Sequence, residues 1–269
     1  MVEARAHAVD GATRLYGIIG DPIAQVRSPT VLNERLRGLG VNAVLVPLNA
    51  KPASFADCIR GLKSLANLDG ILVTLPFKQS VMDHVDTILP AARRIGAMNA
   101  MRREPNGAWS GDMFDGKGFV GGLRASGLDP KGLSVMLIGA GGAGSAIADA
   151  LAEAGAASMT IHDRNAHKSE ALSRAVAQSH PGCRASAGLP TVEGIDLLVN
   201  ATPTGMAPGD GLPAQLGPLG KALFVADIIP YPDITPLLAR AKQSGCRTMG
   251  GQAMVAGQAD AILRFFGLL

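Results

Sequence analysis

The chain has 269 residues, 47% hydrophobic and 17% charged, with a formal net charge of +3 and no dense basic run. Such a chain can bury a substantial core and is not disordered. It carries no electrostatic footprint of nucleic-acid binding and no polybasic membrane patch, and its 4% aromatic content leaves little for base stacking. No uninterrupted apolar run reaches membrane-spanning length. Cys58, Cys183 and Cys246 are far apart and form no C-x-x-C, which argues against a disulfide scaffold or structural zinc. The histidines form no H-x-x-x-H or H-E-x-x-H pair, so no metal is expected. The stretch up to Gly17 lacks an apolar signal region, and a cytoplasmic protein is expected.

In chain order, Leu15 to Ile19 predicts a strand. Pro29 to Arg37 predicts a helix with Ser28 at its N-cap and Gly38 as its stop. Ala43 to Pro47 is a second strand, Ser54 to Leu68 an amphipathic helix, and Gly70 to Leu75 a third strand. Helices follow around Gln79 to Val85 and Pro90 to Ile95. Ala97 to Arg102 and Ala108 to Ser110 suggest paired strands around the turn sequence Pro105-Asn106-Gly107. Gly116 to Ala125 reads as a connecting helix. Later strands are Leu197 to Asn200 and Leu223 to Asp227, and later helices Pro232 to Arg240 and Ala253 to Phe266. Alternating strands and helices predict an α/β fold with a mostly parallel sheet.

Residues 135 to 164 are the most informative. Val135 to Ile138 is an apolar strand, and Gly139-Ala140-Gly141-Gly142-Ala143-Gly144 fits G-x-G-x-x-G. Gly139 permits a tight turn, Gly141 admits a pyrophosphate to the backbone, and Gly144 lets the helix lie close to the strand. The helix N-terminus offers N–H groups and a positive dipole end to phosphates. Met159 to His162 reads as the next strand, and Asp163 follows at the spacing of an acid that bonds a ribose hydroxyl. This defines a Rossmann-like, doubly wound dinucleotide-binding unit. It begins mid-chain, so the segment before it is expected to form its own α/β domain.

Ser28, Thr74, Lys78, Asn99 and Asp115 lie near predicted strand or helix ends, where ligands of parallel sheets bind. A nicotinamide enzyme acting on an alcohol needs an acid/base group, and a lysine beside an aspartate can serve. Read singly, a lysine after a strand is usually a solvated end, and an aspartate before glycine usually a turn residue. Met98, Met101 and Met113 are expected to pack, or to shape an apolar substrate wall. Trp109 and Cys246 are expected in the core.

Taken in order, these segments resemble the shikimate dehydrogenase family, which includes quinate/shikimate dehydrogenases. Gly17-Ile-Ile-Gly-Asp-Pro-Ile with Ser28-Pro29 and Asn33 resembles its opening motif. Val73-Thr74-Leu75-Pro76-Phe77-Lys78 resembles the strand that leads to its catalytic lysine. Gly96-Ala97-Met98-Asn99 resembles its substrate-binding Gly-Ala-x-Asn. Asp115-Gly116 with Gly118-Phe119 resembles the segment of its catalytic aspartate. Asn200-Ala-Thr-Pro-Thr-Gly-Met206 resembles a cofactor-side motif, and Asp227, Thr235 to Leu238, Met254 and Gln258 its closing segments.

The resemblance implies a substrate-binding and catalytic domain from residues 1–113 with 246–269, a dinucleotide-binding domain from 114–245, and a cleft between them. It implies Lys78 and Asp115 as the acid/base pair and Ser28, Thr74, Asn99 and Gln258 as substrate ligands. Cofactor would be held by Gly139, Gly141, Gly142, Ala143, Gly144, Asp163, Arg164, Thr202 and Met206. The partners implied are a small-molecule substrate and NAD(P), the protein being a monomer or homodimer. A non-catalytic dinucleotide-binding protein on the same fold is the alternative.

Departures from the family pattern gather at the expected substrate pocket. Val26 replaces its first serine, Leu72 an asparagine, Met113-Phe114 an Asn-Thr, and Pro230 a tyrosine, with Tyr231 one position on. In the family that serine and tyrosine help hold the substrate carboxylate, so a changed, less polar substrate is expected unless Tyr231 or Arg27 compensates. Asp163-Arg164-Asn165 stands where NADP-using members resemble Asn-Arg-Thr. Asp163 favours NAD because it repels a 2′-phosphate, while Arg164 and Lys168 pull towards NADP.

Overall fold

The computed structural model describes residues 9–269, which fall into two compact units, one running to Phe114 and rejoined by Ala259–Leu269, the other Asp115–Gln258. The first holds β1 (Arg14–Gly20), α1 (Ser28–Gly38), β2 (Ala43–Asn49), α2 (Phe55–Lys63), β3 (Leu68–Val73), β4 (Thr87–Ile88), α3 (Pro90–Ile95), β5 (Ala100–Arg103) and β6 (Trp109–Asp112). Their sheet order is β2-β1-β3-β5-β6-β4. β1 runs parallel to β2 and β3, and the β5–β6 hairpin adds antiparallel strands beside β3. β4 runs parallel to β6, so this sheet is mixed, with three parallel pairings and two antiparallel ones. The Pro105-Asn106-Gly107 turn closes the hairpin, with Gly107 at φ 84°. Tyr16, Ile18, Leu32, Leu36, Leu45, Leu72 and Phe114 share a core with Ile262, Leu263 and Phe265.

The second unit holds α4 (Asp115–Ala125), β7 (Ser134–Ile138), α5 (Gly142–Glu153), β8 (Ser158–His162), α6 (Ala166–Ser179), β9 (Arg184–Ala187), β10 (Leu197–Asn200), β11 (Phe224–Asp227), α7 (Pro236–Gln243) and β12 (Arg247–Met249). A last helix, α8 (Gly251–Phe265), begins in this unit. The six strands are all parallel in the order β12-β11-β10-β7-β8-β9. Sequence order thus reverses direction between β7 and β10, the switch point at which doubly wound sheets bind ligands. Leu137, Ile147, Leu151, Ile161, Leu197 and Phe224 form its core with Phe119 of α4 and Met254 of α8.

Several local expectations are corrected. Ser28 lies inside α1, and Arg27 occupies the N-cap position without a side-chain capping bond. Leu39 N–H still bonds Arg35 C=O, so the left-handed turn falls at Gly40 (φ 68°), not Gly38. β2 runs through Pro47 because it is an edge strand, where a missing N–H is harmless. α2 stops at Lys63, and Leu68 already pairs with Leu15 in the sheet. Residues 80–84 form a short 3-10 turn rather than an α-helix. α7 starts at Pro236, not Pro232: Thr235 accepts from Leu238 N–H at 3.3 Å, and a capping threonine with proline next defines the start. β12 pairs with β11, so residues 246–258 lie with the second unit and the chain returns at Ala259. Among the described residues no helix is long and apolar enough to cross a membrane.

Candidate active site

In the first unit the chain leaves β3 through Thr74 towards Lys78. Thr74 N–H donates to Ile19 C=O at 2.9 Å, stitching the end of β3 to β1. A Cβ at Gly20 would clash with the Thr74 methyl group and lie 2.9 Å from Leu75 O, so only glycine allows this approach. Lys78 is half-buried, and its carbonyl accepts from Met98 N–H at 2.8 Å. Asn99 is 5% exposed; its carbonyl accepts from Val73 N–H, its N–H donates to Asp112 C=O, and its Oδ1 accepts from Phe114 N–H at 2.8 Å. Asp112 also accepts from Ala92 N–H, fixing the start of α3. Ser28 is buried in the first turn of α1. The first unit thus gathers Thr74, Lys78 and Asn99 onto neighbouring chain segments.

In the second unit Asp115 opens α4 and is 3% exposed. α4 and α8 meet through small residues. A Cβ at Gly118 would lie 2.7 Å from Gln258 Cβ, one at Gly122 2.8 Å from Ala253 O, and one at Gly257 2.9 Å from Gly122 N. Buried Gln258 is therefore held against the first turns of the helix that Asp115 begins.

The glycine loop sits at the switch point. Gly139 has φ 107°, and a Cβ there would meet the Ala201 backbone at 2.8 Å. A Cβ at Gly144 would clash with the Gly139 carbonyl. At Gly141 a Cβ would meet nothing within 4 Å, and no side chain caps α5. Open backbone at a helix N-terminus matches the needs of a pyrophosphate. Asp163 holds this loop: its two carboxylate oxygens accept from Ala140 N–H at 2.8 Å and Asn165 N–H at 2.9 Å. Arg164 beside it is exposed.

One network goes beyond the sequence reading, which set Asn200 in a cofactor-side motif and Asp227 and Thr235 in closing segments but gave them no individual roles. Asn200 and Asp227, both fully buried, end β10 and β11. Asn200 donates to Asp227 and to Thr204 C=O, and accepts from Thr202 N–H and Oγ1. Thr235 Oγ1 donates to Asp227 at 2.7 Å. Burial pushes the Asp227 carboxyl up, while the bonds from Thr235, Asn200 and Ile229 N–H pull it down. Asp210 accepts from Gly205 and Ala207 N–H, which hold its carboxyl below the ordinary range. The Thr202 to Met206 loop is thus tied at both ends. The sequence signals were a polar residue closing each apolar strand and the resemblance of both segments to family motifs.

Of the positions departing from the family pattern, Leu72 and Phe114 lie in the first unit's core and half-buried Val26 packs against it. Phe114 and Phe265 rings are 5.0 Å apart. Met113 is 2% exposed, Pro230 half-buried and Tyr231 55% exposed. Met98, Met101, Trp109 and Cys246 are all buried. No cluster of metal-ligating side chains occurs among the described residues.

A doubly wound parallel sheet with a glycine loop at its switch point defines a dinucleotide-binding α/β protein. Comparison with known proteins narrows the class. The profile of the shikimate dehydrogenase substrate binding domain matches residues 18–101, and that of shikimate / quinate 5-dehydrogenase matches residues 124–205. The shikimate dehydrogenase (NADP(+)) of Geobacter sulfurreducens is 36% identical, with 95% of this chain and 92% of that protein covered. The 5-ketofructose reductase of Gluconobacter sp. strain CHM43 is 34% identical, with a TM-score of 0.81 over 94% of this chain and 92% of that one. The shikimate 5-dehydrogenase of Listeria monocytogenes, solved with shikimate and NAD, is 28% identical, with a TM-score of 0.83 over 96% and 93%. The chain belongs to the shikimate dehydrogenase family.

Proposed function

We propose that the chain is an NAD(P)-dependent dehydrogenase acting on a hydroxyl-bearing carbon of shikimate, quinate or a related cyclic hydroxy acid. The observation that carries this reading is the retention of Thr74, Lys78 and Asn99 on hydrogen-bonded neighbouring segments, in a chain whose relatives are named for this reaction. Gly139, Gly141, Gly142, Ala143 and Gly144, with Asp163, Arg164, Thr202 and Met206, hold the dinucleotide; the open backbone at Gly141 fits its pyrophosphate. Bound NAD(P) supplies the hydride acceptor or donor. Lys78 Nζ takes or returns the hydroxyl proton, and Asp115 is the second member of the acid/base pair. Ser28, Thr74, Asn99 and Gln258 orient the substrate.

The test follows NAD and NADP reduction with shikimate, quinate and a panel of related cyclic alcohols. Turnover of shikimate or quinate supports the reading. Tight cofactor binding with no turnover of any panel member overturns it and favours a binding role. A substrate without a carboxylate is favoured by a separate observation: Val26, Leu72 and Phe114 make one apolar cluster where the family pattern is polar, and a relative at 34% identity is named for 5-ketofructose. Turnover confined to uncharged polyols or ketoses supports that second reading.

For cofactor preference we propose NAD ahead of NADP. Asp163 is fixed by two backbone N–H groups at the end of β8, where its charge opposes a 2′-phosphate more than exposed Arg164 attracts one. Asp163→Asn is expected to lower the NAD:NADP ratio of kcat/KM by about tenfold or more, since like-charge juxtaposition costs several kcal/mol. A wild-type protein that prefers NADP, or an unchanged ratio in the variant, contradicts this.

A further inference from the structure

Four hydrogen bonds converge on the dipeptide Met98-Asn99. Met98 N–H donates to Lys78 C=O at 2.8 Å, and Asn99 C=O accepts from Val73 N–H at 2.8 Å, so one peptide is pinned to the strand and turn that carry Lys78. Asn99 N–H donates to Asp112 C=O at 3.2 Å, and Asn99 Oδ1 accepts from Phe114 N–H at 2.8 Å, so the same residue grips the chain that leads into Asp115. Met98, Asn99 and Phe114 are all buried. A buried amide left without its acceptor is strongly disfavoured, so the Phe114 bond constrains where residue 115 starts its helix.

We propose that Asn99, beyond binding substrate, is a positioning residue for Asp115, acting through the Phe114 amide. The proposal rests on the dehydrogenase reading for its catalytic consequence but not for its structural one. Side chains lacking the Oδ1 acceptor release Phe114 N–H and let the first turn of α4 drift, and displacement of a catalytic group by about 1 Å can cost about 10²-fold in rate. An aspartate at 99 keeps an acceptor oxygen for that amide.

Two sets of measurements separate this role from simple binding or bulk packing. In substrate-free protein, hydrogen exchange at the Phe114 amide and the NMR chemical shift of the Asp115 amide are compared in wild type, Asn99→Ala and Asn99→Asp. Asn99→Ala is expected to speed Phe114 exchange about tenfold or more and to move the Asp115 amide resonance; Asn99→Asp is expected to keep the protection. Where a substrate is turned over, Asn99→Ala is expected to lower kcat more than it raises KM, and Asn99→Asp to recover most of kcat while KM stays high. Unchanged Phe114 exchange and Asp115 amide shift in Asn99→Ala overturn the proposal, as does a defect confined to KM. If Asn99→Ala does not fold, loss of Phe114 protection in Asn99→Asp overturns it and retention supports it. A wild-type protein inactive on every substrate defeats the dehydrogenase reading alone, because amide exchange and the Asp115 amide shift still decide the positioning role.

Discussion

Replacing Lys78 with alanine is expected to lower kcat about 10²- to 10⁴-fold, the usual contribution of a positioned acid/base group, with little change in cofactor affinity or Tm. The backbone at Lys78 is held by Met98 N–H, so truncation leaves that bond in place. Lys78 is half-buried, so losing its methylenes removes little packing. The glycine loop belongs to the other compact unit, and cofactor binding is expected to survive. Lys78→Arg is expected to fail almost as badly, because a guanidinium does not give up its proton near neutral pH. Steady-state kinetics, cofactor titration by fluorescence and a thermal melt on the same preparations check all three points. A Lys78→Ala protein with wild-type kcat removes this residue from the chemistry.

Gly144→Ala is expected to be the most damaging single methyl group in the second unit. The added carbon meets the Gly139 carbonyl oxygen and sits 2.9 Å from its carbon. Those are backbone atoms of a turn already at φ 107°, so no side chain can swing away. Either α5 lifts from β7 or the loop deforms, and each breaks the close approach on which phosphate binding at the helix end depends. A loss of about 4 kcal/mol, and a Tm lower by about 10 °C, is expected together with loss of dinucleotide binding. Gly141→Ala is the control: with nothing within 4 Å of its Cβ, it is expected to keep the wild-type Tm while weakening the cofactor. Equal melting temperatures for wild type and Gly144→Ala, measured by calorimetry, contradict this account.

The second unit was read from sequence almost strand by strand, because its strands are buried on both faces and so appear as short apolar runs between glycine turns. What escaped was the periphery. β9 is an edge strand with the exposed, polar sequence Arg184-Ala-Ser-Ala187, and β12 has three residues with only Met249 buried. Neither shows an apolar run. The resemblance set the return of the chain at 246, whereas β12 and the residues up to Gln258 lie with the second unit and the chain returns at Ala259. In the first unit, the helix expected over Ser54 to Leu68 overran because Leu65 and Leu68 continue its apolar spacing, and tertiary pairing of Leu68 decides otherwise. Lys78, Asn99 and Asp115 drew notice as polar residues at element ends, but resemblance supplied their roles. The Asn200–Asp227–Thr235 network depends on contacts across 27 and 8 residues, which no local pattern encodes.

Residues 259–269 belong to the first unit, and Ile262, Leu263 and Phe265 pack beside Tyr16, Leu32 and Leu36. On the ribosome this inverts the usual order. The earlier-made unit must wait, its apolar sheet face incomplete, until the whole of the later one has emerged, whereas Asp115–Gln258 has all its own strands in hand before synthesis reaches Ala259. The first-translated half is therefore the last to close, and the nascent chain depends longest on protection from aggregation at the end that emerges first.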